Sequence, residues 1–235
     1  MKKTIRILRR ESYRSEPYWE DYLFENVNEA STIASVLMSL EEKDRVQTES
    51  MRPFRPIAWE CSCLQKKCGA CAMVIGGKPA LACDTKLSEC SGETVTVEPL
   101  RKFKVIEDLR VDRSEMMERL KTLSVWFEDD AKTTGEKTAF EASRCLQCGL
   151  CLEVCPNFYS EGKFGGMAAM APLSRLIAKL PDGQRKSVSK NYEKAVYNGC
   201  GKSLACRDIC PAEIDLEKLL VKSNAAAVWR RWKNT

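Results

Sequence analysis

Residues 144–157 read RCLQCGLCLEVCPN, with Cys145, Cys148, Cys151 and Cys155 spaced C-x2-C-x2-C-x3-C and Pro156 directly after the last. This is the bacterial iron–sulfur run, whose fourth cysteine serves the other cluster of a two-cluster protein. Thiolates two residues apart can take successive corners of one cluster, while the fourth lies on the next turn and points away. Pro156 removes a backbone donor at that turn and keeps the chain from folding back. A second stretch, CGKSLACRDICP at 200–211, repeats the pattern with Ser203 in place of the second cysteine. If the two runs exchange their last cysteines, one set is Cys145, Cys148, Cys151 and Cys210, enough for [4Fe–4S]. The other set is Cys155, Cys200 and Cys206, and the missing corner ligand is what a [3Fe–4S] cluster needs. The four-iron alternative would require Ser203 or water on the fourth iron.

A third group lies upstream. Cys63, Cys68 and Cys71 are spaced C-x4-C-x2-C, the plant-type pattern for [2Fe–2S]. Gly69 and Ala70 are small enough to let backbone N–H groups approach the sulfurs. Beyond Ala72–Ile75 and the turn at Gly76-Gly77, Cys83 is the expected fourth ligand. Cys61 and Cys90 are left over, since using Cys61 would stretch the first spacing to x6.

Composition narrows the chemistry. The chain has 235 residues, enough for two modest domains, and 13 cysteines, an odd number. No apolar stretch follows the basic MKKTIRILRR start, so a signal peptide is not expected. These features disfavour a disulfide framework and favour metal ligation. Zinc wants two separated cysteine pairs around one tetrahedral ion, which three cysteines in seven residues fit poorly. There is no histidine, which removes imidazole ligation and the usual acid–base residue. A formal charge of +5 with dispersed Lys and Arg implies no nucleic-acid partner. No apolar run reaches the roughly 20 residues that span a bilayer.

The elements that must carry these cysteines follow from periodicity. Residues 4–8 and Tyr18–Phe24 read as strands, and Ala72–Ile75 and Thr94–Val97 as two more. Asn28 or Ser31 is the expected cap of a helix with Ile33, Val36, Leu37 and Leu40 on one face. Strands and one helix suggest a small ubiquitin-like grasp domain. Helical patterns cover Asp112–Val125, Thr138–Arg144, 172–180, 189–198 and Asp215–Val228, with Asp215 as a cap and a turn at Pro181-Asp182-Gly183. The fold class is therefore α+β: a β-grasp plant-type [2Fe–2S] ferredoxin domain at 1–104, then an all-α bacterial-type ferredoxin domain at 105–235. The tail Trp229–Lys233 mixes aromatic and cationic residues and reads as a frayed terminus or as a membrane or partner contact.

Three cluster motifs in the order [2Fe–2S], [4Fe–4S], [3Fe–4S] resemble the iron–sulfur subunit of succinate dehydrogenase and fumarate reductase over nearly the whole chain. Pro17-Tyr18-Trp19-Glu20 looks like that family's early strand. Cys68-Gly69-Ala70-Cys71 and Leu81-Ala82-Cys83 look like its [2Fe–2S] site, and Asp108-Leu109-Arg110-Val111-Asp112 like the start of its helical domain. Cys155-Pro156 and Cys210-Pro211 look like the ends of its two helical-domain motifs, and Phe164-Gly165-Gly166 resembles the segment after the first. The resemblance implies an electron-transfer subunit between the FAD of a flavoprotein partner and a quinone at a membrane anchor, with the dicarboxylate site on the flavoprotein. It also implies a peripheral place on the cytoplasmic face of the cytoplasmic membrane. Relatives that reduce ubiquinone tend to carry His after the first late cysteine and Trp after the early Cys-Pro. Here Gly201 and Asn157-Phe158-Tyr159 stand there, which fits a menaquinone, or a quinone bound elsewhere in the anchor, better. The rival reading is an iron–sulfur partner of a different or soluble flavoprotein alkene reductase.

Overall fold

The computed structural model describes residues 2–25, 27–46, 52–126, 137–180 and 185–229. The Pro181-Asp182-Gly183 turn and Arg230–Lys233 of the tail lie outside them. The chain forms two compact units, Met1–Asp112 and Arg113–Thr235.

In the first unit, β1 (Lys3–Arg9), β2 (Tyr18–Phe24), β3 (Ala72–Ile75), β4 (Lys78–Leu81) and β5 (Thr94–Glu98) form one sheet in the order β2-β1-β5-β3-β4. The β1–β5 pair is parallel, with Ile5 opposite Val95 and Ile7 opposite Val97, and the other pairs are antiparallel. Period-two alternation puts Ile5, Ile7, Val95 and Val97 inside. It puts Arg9 on the same face, where it is fully buried. A parallel pair needs a long crossover, and that crossover carries α1 (Ile33–Ser39) and all four [2Fe–2S] candidates. The α1 cap is Thr32, not Asn28 or Ser31: Thr32 Oγ1 accepts from Ser35 N at 3.1 Å and Ser35 Oγ accepts from Thr32 N at 3.0 Å. This reciprocal pair uses both hydroxyls, whereas Ser31 Oγ is turned back to accept from Asn28 N.

A second small sheet, β6 (Lys104–Glu107) with β7 (Arg110–Asp112), closes this unit. It extends the first unit eight residues beyond position 104, and Asp108–Asp112 belongs to its hairpin rather than to the helical unit. The reason is electrostatic. Asp108 is fully buried, its Oδ1 accepts from Arg10 N at 2.9 Å, and its Oδ2 from Ala58 N at 2.9 Å.

The second unit contains α2 (Ser114–Thr122), α3 (Lys137–Ser143), α4 (Leu150–Glu153), α5 (Gly166–Lys179), α6 (Arg185–Tyr192) and α7 (Leu216–Asn224). A π-helical turn follows α6 at Glu193–Tyr197, and another follows α7 at Ala225–Trp229. Helix α5 is central, packing on α3, α4, α6 and α7. Its Leu173, Leu176 and Ile177 join Tyr192, Leu219 and Leu220 in the core, each such aliphatic side chain contributing about 1.5–3 kcal/mol on burial. Asp215 caps α7, its Oδ1 accepting from Lys218 N at 2.9 Å. Helix α5 starts six residues before the sequence reading and runs through Pro172. No helix among the described residues is long and apolar enough to cross a membrane.

Candidate metal centres

Backbone conformation shapes all three cysteine loops. Left-handed residues recur at short intervals: Leu64 (φ 52°), Lys66 (60°) and Gly69 (76°) in the first loop, Gln147 (53°) and Gly149 (87°) in the second, and Lys202 (57°) and Leu204 (56°) in the third. Such alternation turns successive N–H groups toward one side of the chain, making an anion-binding concavity. A left-handed Leu is strained and persists only where the surroundings enforce it.

In the first loop those donors reach sulfur. Gln65 N and Lys67 N donate to Cys63 Sγ at 3.4 and 3.3 Å, Lys66 N to Cys83 Sγ at 3.3 Å, and Ala70 N to Cys68 Sγ at 3.5 Å. The donors from Gln65 and Lys67 pull the Cys63 thiol down to about 7. Burial pushes Cys71 up to about 12, with the Cys83 and Cys68 thiols adding to the rise. Cys63, Cys68, Cys71 and Cys83 thus act on one another as a group. Cys83 is placed by α1: Ala34 N donates to Ala82 O at 3.0 Å and Ile33 N to Thr85 O at 2.9 Å. Cys61 is exposed, and Cys90 Sγ contacts Lys86 O at 3.5 Å, away from that group.

The helical unit holds two cysteine-lined cavities. Cys145, Cys148, Cys151 and Cys210 line one, and Cys155, Cys200 and Cys206 line the other together with Ser203. The last cysteine of each run therefore lines the cavity of the opposite run. The buried side chains of Met167 and Leu216 line both cavities and form the wall between them. Burial pushes Cys145 up to about 11, and the Cys148 and Cys210 thiols act in the same direction. Burial likewise lifts Cys206 to about 11, helped by Cys155 and Cys200. It lifts Cys148 too, against the opposing charge of Arg113. Thiols ligate iron as thiolates, so a cluster held by these crowded cysteines would form with release of their protons to solvent.

The donor set suits a cluster. The sulfurs are soft and held around voids, and no three of the described Cys, Asp or Glu side chains converge on a point that would hold a single ion.

The loop after the first run is clamped from α2. Glu115 accepts from Ser160 Oγ at 2.6 Å and from Glu161 N at 2.6 Å, and pairs with Arg119. Arg119 in turn donates to Phe164 O at 2.8 Å. Phe164 packs against Gly199, where a Cβ would fall 2.4 Å from its ring, which fixes the approach to Cys200. Asn157 Nδ2 donates to Gly199 O at 2.6 Å, and a Cβ at Gly201 would fall 3.0 Å from that amide. Phe158 is buried in packing and Tyr159 is exposed. The Glu115 clamp is illegible in the sequence, since its partners are some 45 residues distant.

Two family models and several known proteins match the chain. Residues 4–118 match the family described as 2Fe-2S iron-sulfur cluster binding domain, and residues 141–214 match the 4Fe-4S dicluster domain. The succinate dehydrogenase iron-sulfur subunit of Bacillus subtilis is 32% identical over 248 residues, covering 99% of this chain and 96% of the relative. The fumarate reductase iron-sulfur subunit of Wolinella succinogenes is 28% identical over 234 residues, covering 91% and 92%. A chain of the Mycobacterium smegmatis Sdh1 complex in the apo form superposes with a TM-score of 0.74 at 22% identity, covering 98% of this chain and 97% of that one.

Proposed function

The chain belongs to the family of succinate dehydrogenase and fumarate reductase iron–sulfur subunits, and from that premise we propose how it carries electrons between a flavoprotein and a quinone. It is the electron-transfer subunit of an oxidoreductase complex, and the dicarboxylate chemistry belongs to its partner. Iron–sulfur clusters supply one-electron redox centres whose potentials the protein sets over hundreds of millivolts.

Cys63, Cys68, Cys71 and Cys83 hold the [2Fe–2S] centre. Cys145, Cys148, Cys151 and Cys210 hold the [4Fe–4S] centre, and Cys155, Cys200 and Cys206 the [3Fe–4S] centre. The observation that carries this reading is the exchange of last cysteines across a wall shared by two cavities. It puts two redox centres side by side, with Met167 and Leu216 lining both. Those side chains exclude water, while the N–H groups of the loops stabilise negative charge on sulfur.

The partners are an FAD-containing flavoprotein and a membrane anchor bearing a quinone, with this subunit peripheral on the cytoplasmic face. The [2Fe–2S] end serves the flavin and the three-thiolate end serves the quinone. Gly201 and Asn157, which stand where ubiquinone-reducing relatives tend to carry His and Trp, support a menaquinone over a ubiquinone. Anaerobic addition of succinate to the assembled complex is expected to reduce the high-potential centre, and a menaquinone analogue to reoxidise it. Clusters that stay oxidised with succinate but accept electrons from another alkene-reducing flavoprotein would overturn the assignment.

A further inference from the structure

Gln147 has three features that holding a loop does not explain. Its backbone is left-handed, at φ 53°. Its side-chain Nε2 donates both to Cys145 Sγ at 3.2 Å and to Ala168 O at 3.0 Å. Its Oε1 is buried without a hydrogen-bond partner. A thiolate and a carbonyl are both acceptors, so the amide can present only its NH2 to them. Keeping that orientation leaves the buried oxygen uncompensated, a cost that calls for a compensating role.

Helix α5 explains why the carbonyl is available. In an α-helix the carbonyl of residue 168 would accept from the N–H of residue 172. Residue 172 is Pro172, inside α5, and has no N–H. Ala168 is 2% exposed, so water is a poor substitute. Gln147 supplies the missing donor from outside the helix. Its second amide hydrogen is thereby held on the Cys145 sulfur, to which the backbone N–H of Gln147 is also directed. One residue thus gives two donors to one sulfur, and a proline on another helix anchors it there.

We propose that Pro172 and Gln147 act together as a positioning device that raises the reduction potential of the centre held by Cys145. Donors on a ligand sulfur stabilise the extra negative charge of the reduced cluster more than the oxidised one. The proposal rests on the assignment of Cys145, Cys148, Cys151 and Cys210 to the [4Fe–4S] centre.

The test is a redox titration followed by electron paramagnetic resonance on the assembled complex. Gln147→Leu is expected to shift the reduction equilibrium of the [4Fe–4S] centre about tenfold toward the oxidised form, equivalent to 59 mV for one electron. The midpoints of the other two centres stay in place. Because this variant bares the Ala168 carbonyl, the double variant Gln147→Leu/Pro172→Ala is the control: residue 172 then has an N–H for that carbonyl, and only the sulfur's donor is missing. Its midpoint is expected to stay low. A wild-type midpoint in the double variant, or in a fully loaded single variant, overturns the proposal. Electron spin echo modulation of wild-type complex with side-chain 15N-labelled glutamine gives a reading even if both variants lose the centre. A nitrogen coupling to the reduced [4Fe–4S] spin supports the proposal, and its absence overturns it. A wild-type complex with no reduced [4Fe–4S] spectrum would instead count against the ligand assignment.

Discussion

Ser203→Cys is expected to convert the three-thiolate site into a four-iron centre and to lower quinone-linked turnover at least ~10-fold. Ser203 lines the same cavity as Cys155, Cys200 and Cys206. A thiolate there completes the corner that serine leaves open and brings one more negative charge to the site. Added charge and a change of cluster type both move the potential down, by on the order of 10² mV given the span that such centres cover. An electron arriving from the neighbouring centre then faces an uphill step before the quinone. The oxidised three-iron resonance should vanish, a second reduced [4Fe–4S] spectrum should replace it, and the iron content should rise by one per chain. Unchanged turnover with the converted cluster would show that the site is not on the electron path.

Asp108→Ala should be the most destabilising single change in the first unit, by about 3–5 kcal/mol, the usual cost of stripping one partner from a buried ion pair. Asp108 Oδ1 lies 3.1 Å from Arg9 Nε and 3.0 Å from Arg55 Nη2. Arg9 is itself fully buried, with Glu20 and the Tyr22 hydroxyl at 2.5 and 2.8 Å from its Nη1. Burial alone would lower the Arg9 pKa, but the bond and charge of Asp108, with help from Glu20, outweigh it and raise it. Removing the carboxylate leaves that guanidinium short of a counter-charge in the interior. It also frees Ala58 N and Arg55, which anchor the segment leading to Cys63. The apparent melting temperature should fall by roughly 10 °C or more, and the [2Fe–2S] absorbance should bleach first on heating. Asp108→Asn tolerates the left-handed φ of 45° at this position and isolates the charge from the turn geometry. A Tm within a degree or two of wild type for Asp108→Ala would show that the buried network is not what holds this unit.

The chemistry was legible in the sequence because ligand spacing is local. Each run packs its cysteines within a few residues, and Pro156 and Pro211 mark where each run ends. The strands around Ile5, Ile7, Val95 and Val97 were equally legible, since one buried face leaves a period-two pattern. The start of α5 was not, because Pro172 reads as a boundary until the external donor from Gln147 is seen. Nor was the β6–β7 hairpin, which hangs on contacts of Asp108 with Arg10 and Ala58, 98 and 50 residues away. Local signals also chose the wrong cap for α1, where Ser31, Thr32 and Asn28 all qualify and only the reciprocal bond with Ser35 decides. The left-handed Leu64 and Leu204 carry no sequence signature, since glycine is the residue that usually announces that conformation.

We propose that one chain holds three different clusters, one of them short of a ligand. Electron paramagnetic resonance of the anaerobically purified protein, as isolated and after dithionite, tests it directly. The expected result is an oxidised three-iron signal that disappears on reduction, with reduced [2Fe–2S] and [4Fe–4S] signals appearing in its place. An absent oxidised signal together with two reduced [4Fe–4S] spectra would contradict it, and would mean that Ser203 or another group fills the fourth corner.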